Sequence, residues 1–405
     1  MEKGTVVILG GDGFCGWPAA LHLSYRGYQV VIVDNHSRRA IDEMLEIGSM
    51  VPIANIANRI RRWCDVTGRQ IGYARISIDK EYQKLVSFLD QVQPMAVVHF
   101  AEQRAAPFSM KSPANKRYTV DNNVGATHNL LCALVELGLD AHVVHLGTMG
   151  VYGYGTAGMA IPEGYVDAKL KDPITEEWVE TQIYYPANPG SVYHMTKVLD
   201  TQLFYYYNKN DGLRITDLHQ GIIWGVATPH TLMHEELANR VDYDGDYGTV
   251  LNRFIVQAAK GHPMTVFGTG GQTRAFIHLQ DMCQCIEWAI SQPPAKGQRV
   301  RVWNQTTEQL NILEVAKLVA KVTGGEIRLY ENPRLEDAEN KLQAKMDGIL
   351  SSGLDPIKLN EVEVGEIYDL ACKYTDRIEV DKIYCTSTWR EGMVVDKRGI
   401  SYEGA

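Results

Sequence analysis

The feature that most constrains this 405-residue sequence lies in its first 34 residues. Thr5-Val6-Val7-Ile8-Leu9 is a continuous apolar run, the pattern of a parallel strand covered on both faces. Gly10-Gly11-Asp12-Gly13-Phe14-Cys15-Gly16 follows at once and reads GxxGxxG, and an amphipathic pattern from Trp17 to Tyr25 predicts a helix directly after it. Gln29 to Val33 is a second apolar strand, with Asp34 at its end. Glycines in such a turn permit close backbone approach, and the helix N-terminus offers free N–H groups and a positive dipole end to a pyrophosphate. Asp34 stands eighteen residues beyond Gly16, where a carboxylate accepts hydrogen bonds from a ribose diol and repels a 2′-phosphate. The stretch therefore predicts a Rossmann-type, doubly wound parallel α/β sheet that binds NAD rather than NADP. Arg38 and Arg39, just beyond, are read as solvated or diphosphate-facing.

Composition narrows the ligand class. With 45% hydrophobic and 22% charged residues and a net charge of −9, the chain has no Lys/Arg block suited to nucleic acid or an anionic membrane. A small-molecule ligand fits better. The seven cysteines are odd in number and scattered, with one CxC and no CxxC pair, so neither a disulfide framework nor a zinc site is expected. The first apolar run is five residues long, too short for a signal peptide or a membrane span, and a cytoplasmic location is expected. The length suits two to three domains. A dinucleotide-binding domain over 1–225 and a smaller α/β substrate domain over 226–405 are expected, with segments free to cross between them.

Along the chain, Ile53 to Trp63 has helical spacing, with Arg59, Arg61 and Arg62 read as a solvated basic face. Met95 to Phe100 is a buried strand delivering Ala101-Glu102-Gln103-Arg104 to the carboxyl edge of the sheet, where open α/β sheets bind ligands. Arg104 is suited to an anion there; His99 is read as a core residue. Asp121-Asn122-Asn123-Val124 is expected to open a helix, and Ala141 to Leu146 to be a strand leading into Gly147-Thr148-Met149-Gly150. Thr148 is read either as a partner of a substrate oxygen or as a cap.

Ser191-Val192-Tyr193-His194-Met195-Thr196-Lys197 places a Tyr and a Lys one helical turn apart, so the ammonium can favour the phenolate and make Tyr193 a proton acceptor near neutral pH. His194 projects about 100° around the helix from Tyr193. Met233 to Asp246 is charged and turn-rich and is expected to be mobile or ordered by substrate. The Gly268-to-Arg274 loop has a glycine-rich backbone and a terminal Arg suited to a diphosphate; Arg334 is either a second such group or a surface residue. Residues 342–405 carry only generic structural signals.

Gly10 to Gly16, Asp34, Thr148, Tyr193 and Lys197 together resemble the extended short-chain dehydrogenase/reductase superfamily, whose members rework nucleotide-activated sugars with tightly held NAD. His99 to Pro107, Leu146 to Gly150, Met233 to Leu237, Leu251 to Phe254, Gly268 to Arg274 and Asn332 to Arg334 look, within it, like the family of UDP-sulfoquinovose synthases, over nearly the whole chain. The resemblance implies that UDP-glucose and sulfite give UDP-sulfoquinovose, with NAD reduced and reoxidised in one turnover, in a homodimer. It implies Thr148, Tyr193, Lys197 and His194 as catalytic residues. The cofactor set is Gly10, Asp12, Gly13, Phe14, Cys15, Gly16, Asp34, Asn35, Arg38, Arg39, Ser77, Phe100, Ala101 and Asn122, with Tyr193 and Lys197. The substrate set is Arg104, Gln220, Asn252, Gln272, Arg274 and Arg334, with Thr148 and Tyr193.

Three departures bear on mechanism. In the related 4,6-dehydratases the Thr is followed by Asp and Glu, where this chain has Met149 and Gly150, which disfavours an ordinary dehydratase. The position of Val151 is usually Glu in the sulfoquinovose enzymes. Arg75-Ile76-Ser77 replaces a Gly-Asp-Ile whose Asp commonly touches adenine, with Ser77 as the expected substitute. The expected mechanism has Tyr193 take the proton of the sugar 4-hydroxyl as hydride leaves C4; the ketone acidifies C5–H, water is lost across C5 and C6, sulfite adds at C6 and hydride returns. Arg104 and His194 are the expected cationic partners of sulfite. A UDP-hexose 4-epimerase would share the fold and the Tyr/Lys pair, and a non-catalytic dinucleotide sensor is the alternative of a different class.

Overall fold

A computed structural model describes residues 3–153, 159–334, 336–340, 342–387, 389 and 400–402. At its centre is a seven-stranded sheet built from β1 (Lys3–Leu9), β2 (Tyr28–Val33), β3 (Ile71–Ala74), β4 (Ala96–His99), β5 (His142–Leu146), β6 (Ile215–Gln220) and β7 (Arg301–Gln305). The strand order is β7-β6-β5-β4-β1-β2-β3 and every pairing is parallel. Chain order reverses between β1 and β4, which opens a crevice at their carboxyl ends. The glycine turn after Leu9 and the Ala101-to-Arg104 stretch after β4 both lie there.

Helices cover both faces. The helix α1 (Gly16–Tyr25) is buried from Gly16 to Ser24, not on one face as an amphipathic pattern predicts, because the helix Leu279–Ser291 packs on its outer side. On the opposite face, α2 (Pro113–Glu136) and α3 (Val192–Asp211) bury Leu130, Leu131, Leu134 and Phe204 against Val7, Leu9, Val97 and Val143. Pro113 follows the Ser112 cap and starts α2 well before the polar turn at Asp121, where a start was expected. Ser191 caps α3 by accepting from His194 N at 3.2 Å, which fixes where Tyr193 enters the helix.

Past β6 the chain builds two smaller three-stranded sheets. One joins Ile222–Trp224, Thr273–His278 and Glu308–Asn311; the other joins Met264–Phe267, Ile327–Tyr330 and Ile400–Ser401. The helices Val250–Ala259, Ile312–Thr323 and Glu361–Lys373 close a separate core around Phe254, Ile255, Val319 and Phe276. The sequence segment that supplies β7 and the helix Leu279–Ser291 returns to the first body, so the two bodies interleave across residue 225. An exposed hairpin, Tyr165–Lys171 with Trp178–Tyr184, stands outside all three sheets.

Two expectations are corrected. The segment 233–246 is packed: Leu237, Asn239, Arg240, Asp242 and Tyr243 are all buried, with Asn239 donating to Phe14 O at 3.0 Å and Arg240 paired with Asp42 and Asp242. Arg59 belongs to no solvated face. It is fully buried, 2.7 Å from Asp12 Oδ1, and lies over the Trp17 ring at 4.0 Å.

Candidate active site

A first cavity follows the crevice from β2 across the glycine turn to α3. Its walls include Gly10, Asp12, Gly13, Phe14, Cys15, Gly16, Asp34, Asn35, Arg38, Arg39, Phe100, Ala101, Asn122, Tyr193 and Lys197. The turn allows no larger residue at its two ends. Gly10 has φ +83°, and a Cβ on it would lie 2.8 Å from the Phe100 carbonyl carbon; a Cβ on Gly16 would lie 2.1 Å from Gly10 O. The backbone therefore runs bare beneath the space in front of α1, as a pyrophosphate requires. Asp34 ends β2 with its oxygens accepting from Asp12 N at 2.9 Å and His36 N at 2.7 Å. Burial raises its carboxyl above the ordinary range, while those two N–H groups oppose the rise. Arg39 pairs with Asp12, and Arg38 pairs with Asp42 and Asp242, so both are held by carboxylates along the wall. These residues fit NAD: a bare turn, a helix N-terminus and an acid at the next strand's end.

Ser77 is placed otherwise than expected. It is absent from the cavity wall, and its hydroxyl joins Asn35 Nδ2 at 3.0 Å and Asp79 Oδ1 at 2.6 Å. Ile76, Ile78 and Asp79 line the cavity instead. The acid sought at the Gly-Asp-Ile position thus lies four residues beyond Arg75, and an Ile-x-Ile-Asp pattern after a strand was the available signal.

A second cavity meets the first at Arg104, Gly147, Tyr193, Gln220 and Tyr247, which line both. Thr148 and His194 line the second alone. Thr148 both caps and faces the site: its Oγ1 accepts from Gly150 N at 3.1 Å, starting the short turn Met149–Tyr152. The His194 ring packs on Gly150 so closely that a Cβ there would lie 2.3 Å from its Cδ2. Burial, aided by the charges of Arg334 and Arg274, pulls its pKa down to about 3. His194 is therefore a neutral imidazole, not the cation expected for holding an anion. Arg104 is engaged by the Asp242 carboxylate and, at 3.4 Å, by Tyr247 O.

Lys197 Nζ lies 2.8 Å from Glu102 Oε2 and donates to Leu146 O at 2.6 Å. Burial lowers its pKa, but Glu102, Tyr193 and Asp200 outweigh that and raise it, so the ammonium persists beside the Tyr193 phenol.

Deeper in the second cavity are Gln272, Arg274 and Arg334, with Arg253, Thr249 and Cys385. Arg274 pairs with Glu336, whose other oxygen accepts from Asn332 Nδ2 at 3.0 Å. Asn252 does not line the cavity; its neighbour Arg253 does, buried, with Phe267 beneath it at 5.7 Å. Its Nε has no hydrogen-bond partner among the described residues. On the helix Val250–Ala259 the i+1 position turns about 100°, and the sequence alone does not tell which of the two faces the site.

Residues 6–304 match the NAD dependent epimerase/dehydratase family. The chain belongs to this family. It is 42% identical to the chloroplastic UDP-sulfoquinovose synthase of Spinacia oleracea over 95% of its own length and 79% of the relative's. It is 35% identical to the UDP-sulfoquinovose synthase of Sulfolobus acidocaldarius over 97% of its length and 99% of the relative's. Its fold is similar to that of UDP-glucuronic acid 4-epimerase from Bacillus cereus, solved with UDP-glucuronic acid and NAD, at a TM-score of 0.62, 20% identity and coverage of 91% of this chain and 99% of that one. As a member of the epimerase/dehydratase family the chain is an NAD-dependent enzyme. Among the described residues no helix is long and apolar enough to cross a membrane.

Proposed function

We propose that the chain converts UDP-glucose and sulfite to UDP-sulfoquinovose. The observation that carries this reading is its near-full-length similarity to two UDP-sulfoquinovose synthases. NAD, held by the glycine turn from Gly10 to Gly16 and by Asp34, would supply the acceptor for the C4 hydride and the donor for its return. Tyr193, where the two cavities meet, accepts the proton of the 4-hydroxyl, and Thr148 orients the same oxygen. Lys197 keeps the phenol acidic. The resulting 4-keto sugar has an acidified C5–H, so water leaves across C5 and C6, sulfite adds at C6, and Tyr193 gives its proton back to O4 as C4 is reduced. Met149 and Gly150 offer no carboxylate for the leaving hydroxyl, and the neutral His194 against Gly150 is the imidazole the second cavity presents there. Arg253, Arg274 and Arg334 suit the UDP diphosphate, with Gln220 and Gln272 on the wall between it and the sugar. Arg104 is the cation nearest the junction of the cavities and the sulfite partner in this scheme.

The enzyme is further proposed to be a cytoplasmic homodimer with an NAD-binding part to about residue 225 and a UDP-sugar-binding part beyond it. Seven free cysteines suit a reducing compartment. Met195, Leu199 and Tyr206 give α3 an exposed apolar flank beside α2 on which a second copy can pack. Incubation with UDP-glucose and sulfite, read by product mass, is the deciding experiment. UDP-sulfoquinovose formed only when sulfite is present is the expected result. Conversion of UDP-glucose to UDP-galactose with sulfite ignored would make the chain a 4-epimerase instead.

A further inference from the structure

Behind Lys197 runs a line of buried ionisable side chains that the proposed reaction does not use. Glu102, after β4, puts Oε2 2.8 Å from Lys197 Nζ and Oε1 3.0 Å from Nε2 of His145 on β5. His145 Nδ1 lies 2.8 Å from Asp217 Oδ1 on β6, and Asp217 Oδ2 lies 2.9 Å from His219 Nε2. His219 Nδ1 is 2.6 Å from the Tyr152 hydroxyl. The side chains of Glu102, His145, Lys197 and Asp217 are at most 4% exposed. Buried charge at this density persists only if each charge faces an opposite one.

The other groups facing the line are His99 on β4, 3.6 Å from Glu102 Oε1, Asp200 on α3, 3.8 Å from His145 Nε2, and Tyr184, whose hydroxyl is 3.3 Å from His219 Nε2. Thr127 reaches His99 at 3.1 Å and Thr201 reaches Asp217 at 3.3 Å. Burial holds His99 neutral, at about 3, and burial with Glu102 nearby keeps Asp200 protonated. His145 has burial and Lys197 against it, yet Asp217 and Glu102 prevail and raise it to about 9. Glu102 is held down at about 2 in spite of burial, chiefly by Lys197 and His145. Glu102 is therefore a carboxylate shared by the Lys197 ammonium and the His145 imidazolium, and Asp217 is a second carboxylate at the other ring nitrogen of His145. Glu102, His145 and Asp200 also have a spacing that would admit a metal ion, but the Lys197 ammonium already supplies the cation there.

This sharing of one carboxylate bears on Tyr193. A carboxylate 2.8 Å from Lys197 would cancel most of its effect on the phenol if nothing offset it. His145 Nε2 lies 3.0 Å from the same ammonium and 3.0 Å from Glu102 Oε1, so the two cations share the one carboxylate and His145, held by Asp217 at its other ring nitrogen, brings the compensating charge. We propose that Glu102 and His145 are positioning residues for the Tyr193 base: Glu102 holds the Lys197 ammonium in place, and His145 carries the positive charge that offsets Glu102, so that Lys197 keeps its hold on the phenol. The inference rests on Tyr193 being the base of the proposed reaction, and not on which UDP-sugar is turned over.

The test is a phenolate difference-absorbance titration of the holoenzyme, each variant measured against its own Y193F counterpart so that Tyr193 alone is read. H145Q should raise the Tyr193 midpoint by about one pH unit, the scale of losing one neighbouring charge. E102Q should lower it by a similar amount, and H145K should leave it near the wild-type value. The acid limb of turnover with UDP-glucose and sulfite should move in the same sense. Shifts of one sign in both variants, or unmoved midpoints with reduced kcat, would overturn the proposal. If H145Q does not fold, E102Q and H145K decide: a lowered midpoint in E102Q with H145K unmoved supports it, and any other pair rejects it. Because the titration needs no turnover, it fails or succeeds independently of the sulfite reaction.

Discussion

Tyr193 lines both cavities, and its backbone N–H is fixed by Ser109 Oγ at 3.1 Å, so the phenol is held at the cofactor–substrate boundary from two elements at once. Replacing it with Phe removes the proton acceptor and little else. Y193F should lose about 10²–10⁴ in kcat, the range for one general base, while still retaining NAD through purification. Full turnover by that variant would reject the role. Arg253 makes the opposite kind of prediction. Burial lowers its pKa, and its Nε, without a hydrogen-bond partner among the described residues, suits an anion, so R253M should weaken UDP binding by about 10–100-fold in calorimetry, the worth of one charge-assisted hydrogen bond. Unchanged UDP affinity would move the diphosphate to Arg274 and Arg334 alone.

Elements differ in how plainly the sequence reveals them. The β1–turn–α1–β2 unit is legible because all its determinants are local: the apolar run, the glycines that close packing demands, and Asp34 at the next strand's end. The Tyr193/Lys197 turn is legible for the same reason. What escaped was set by partners far away in the chain. Arg59 reads as surface until Asp12, 47 residues earlier, is seen to accept from it. The 233–246 segment reads as mobile until Phe14 O, Ser49 and Asp42 take up its polar groups. The C-terminal segment is the strongest case, for nothing in its own pattern announces the site. Trp389 donates from Nε1 to Gly190 O at 2.6 Å, just ahead of α3, its N–H reaches Pro333 O at 3.0 Å, and Arg334 lies over its ring at 5.4 Å. The segment thus orients one of the cavity's arginines. W389A should raise KM for UDP-glucose about 3–10-fold, the worth of one cation–π contact, and leave kcat nearly unchanged. An equal fall in kcat with KM constant would show that the indole serves the chemistry instead.

For the molecule as a whole, the interleaving of the two bodies is tied by buried and half-buried carboxylates that titrate in opposite directions. Glu163 accepts from Gly348 N at 3.0 Å and Asn304 N at 3.3 Å, joining the segment ahead of the hairpin to β7 and to the chain beyond residue 345; Asp281 accepts from Ile357 N at 2.9 Å. Burial raises each to about 7, against ordinary values of 4.5 and 3.8. A carboxyl raised in the fold binds its proton more tightly there than in the unfolded chain. Its contribution is therefore complete below those ordinary values and is lost as pH rises through about 7. Glu287 works the other way: burial opposes it, but His22 and Arg26 hold it at about 2, so its contribution is present above 4.5 and lost as pH falls toward 2. The raised carboxyls therefore favour the mildly acidic side, while the neutral buried imidazoles of His99 and His194, lowered to about 3, lose their contribution as pH falls below about 6.5 and oppose them. E163Q keeps an oxygen for both backbone N–H groups without the charge, so it should match the wild type at pH 5 and exceed it in Tm at pH 8. Scanning both proteins at the two pH values checks this: equal Tm at pH 8 would mean that Glu163 is solvated rather than buried between the two bodies.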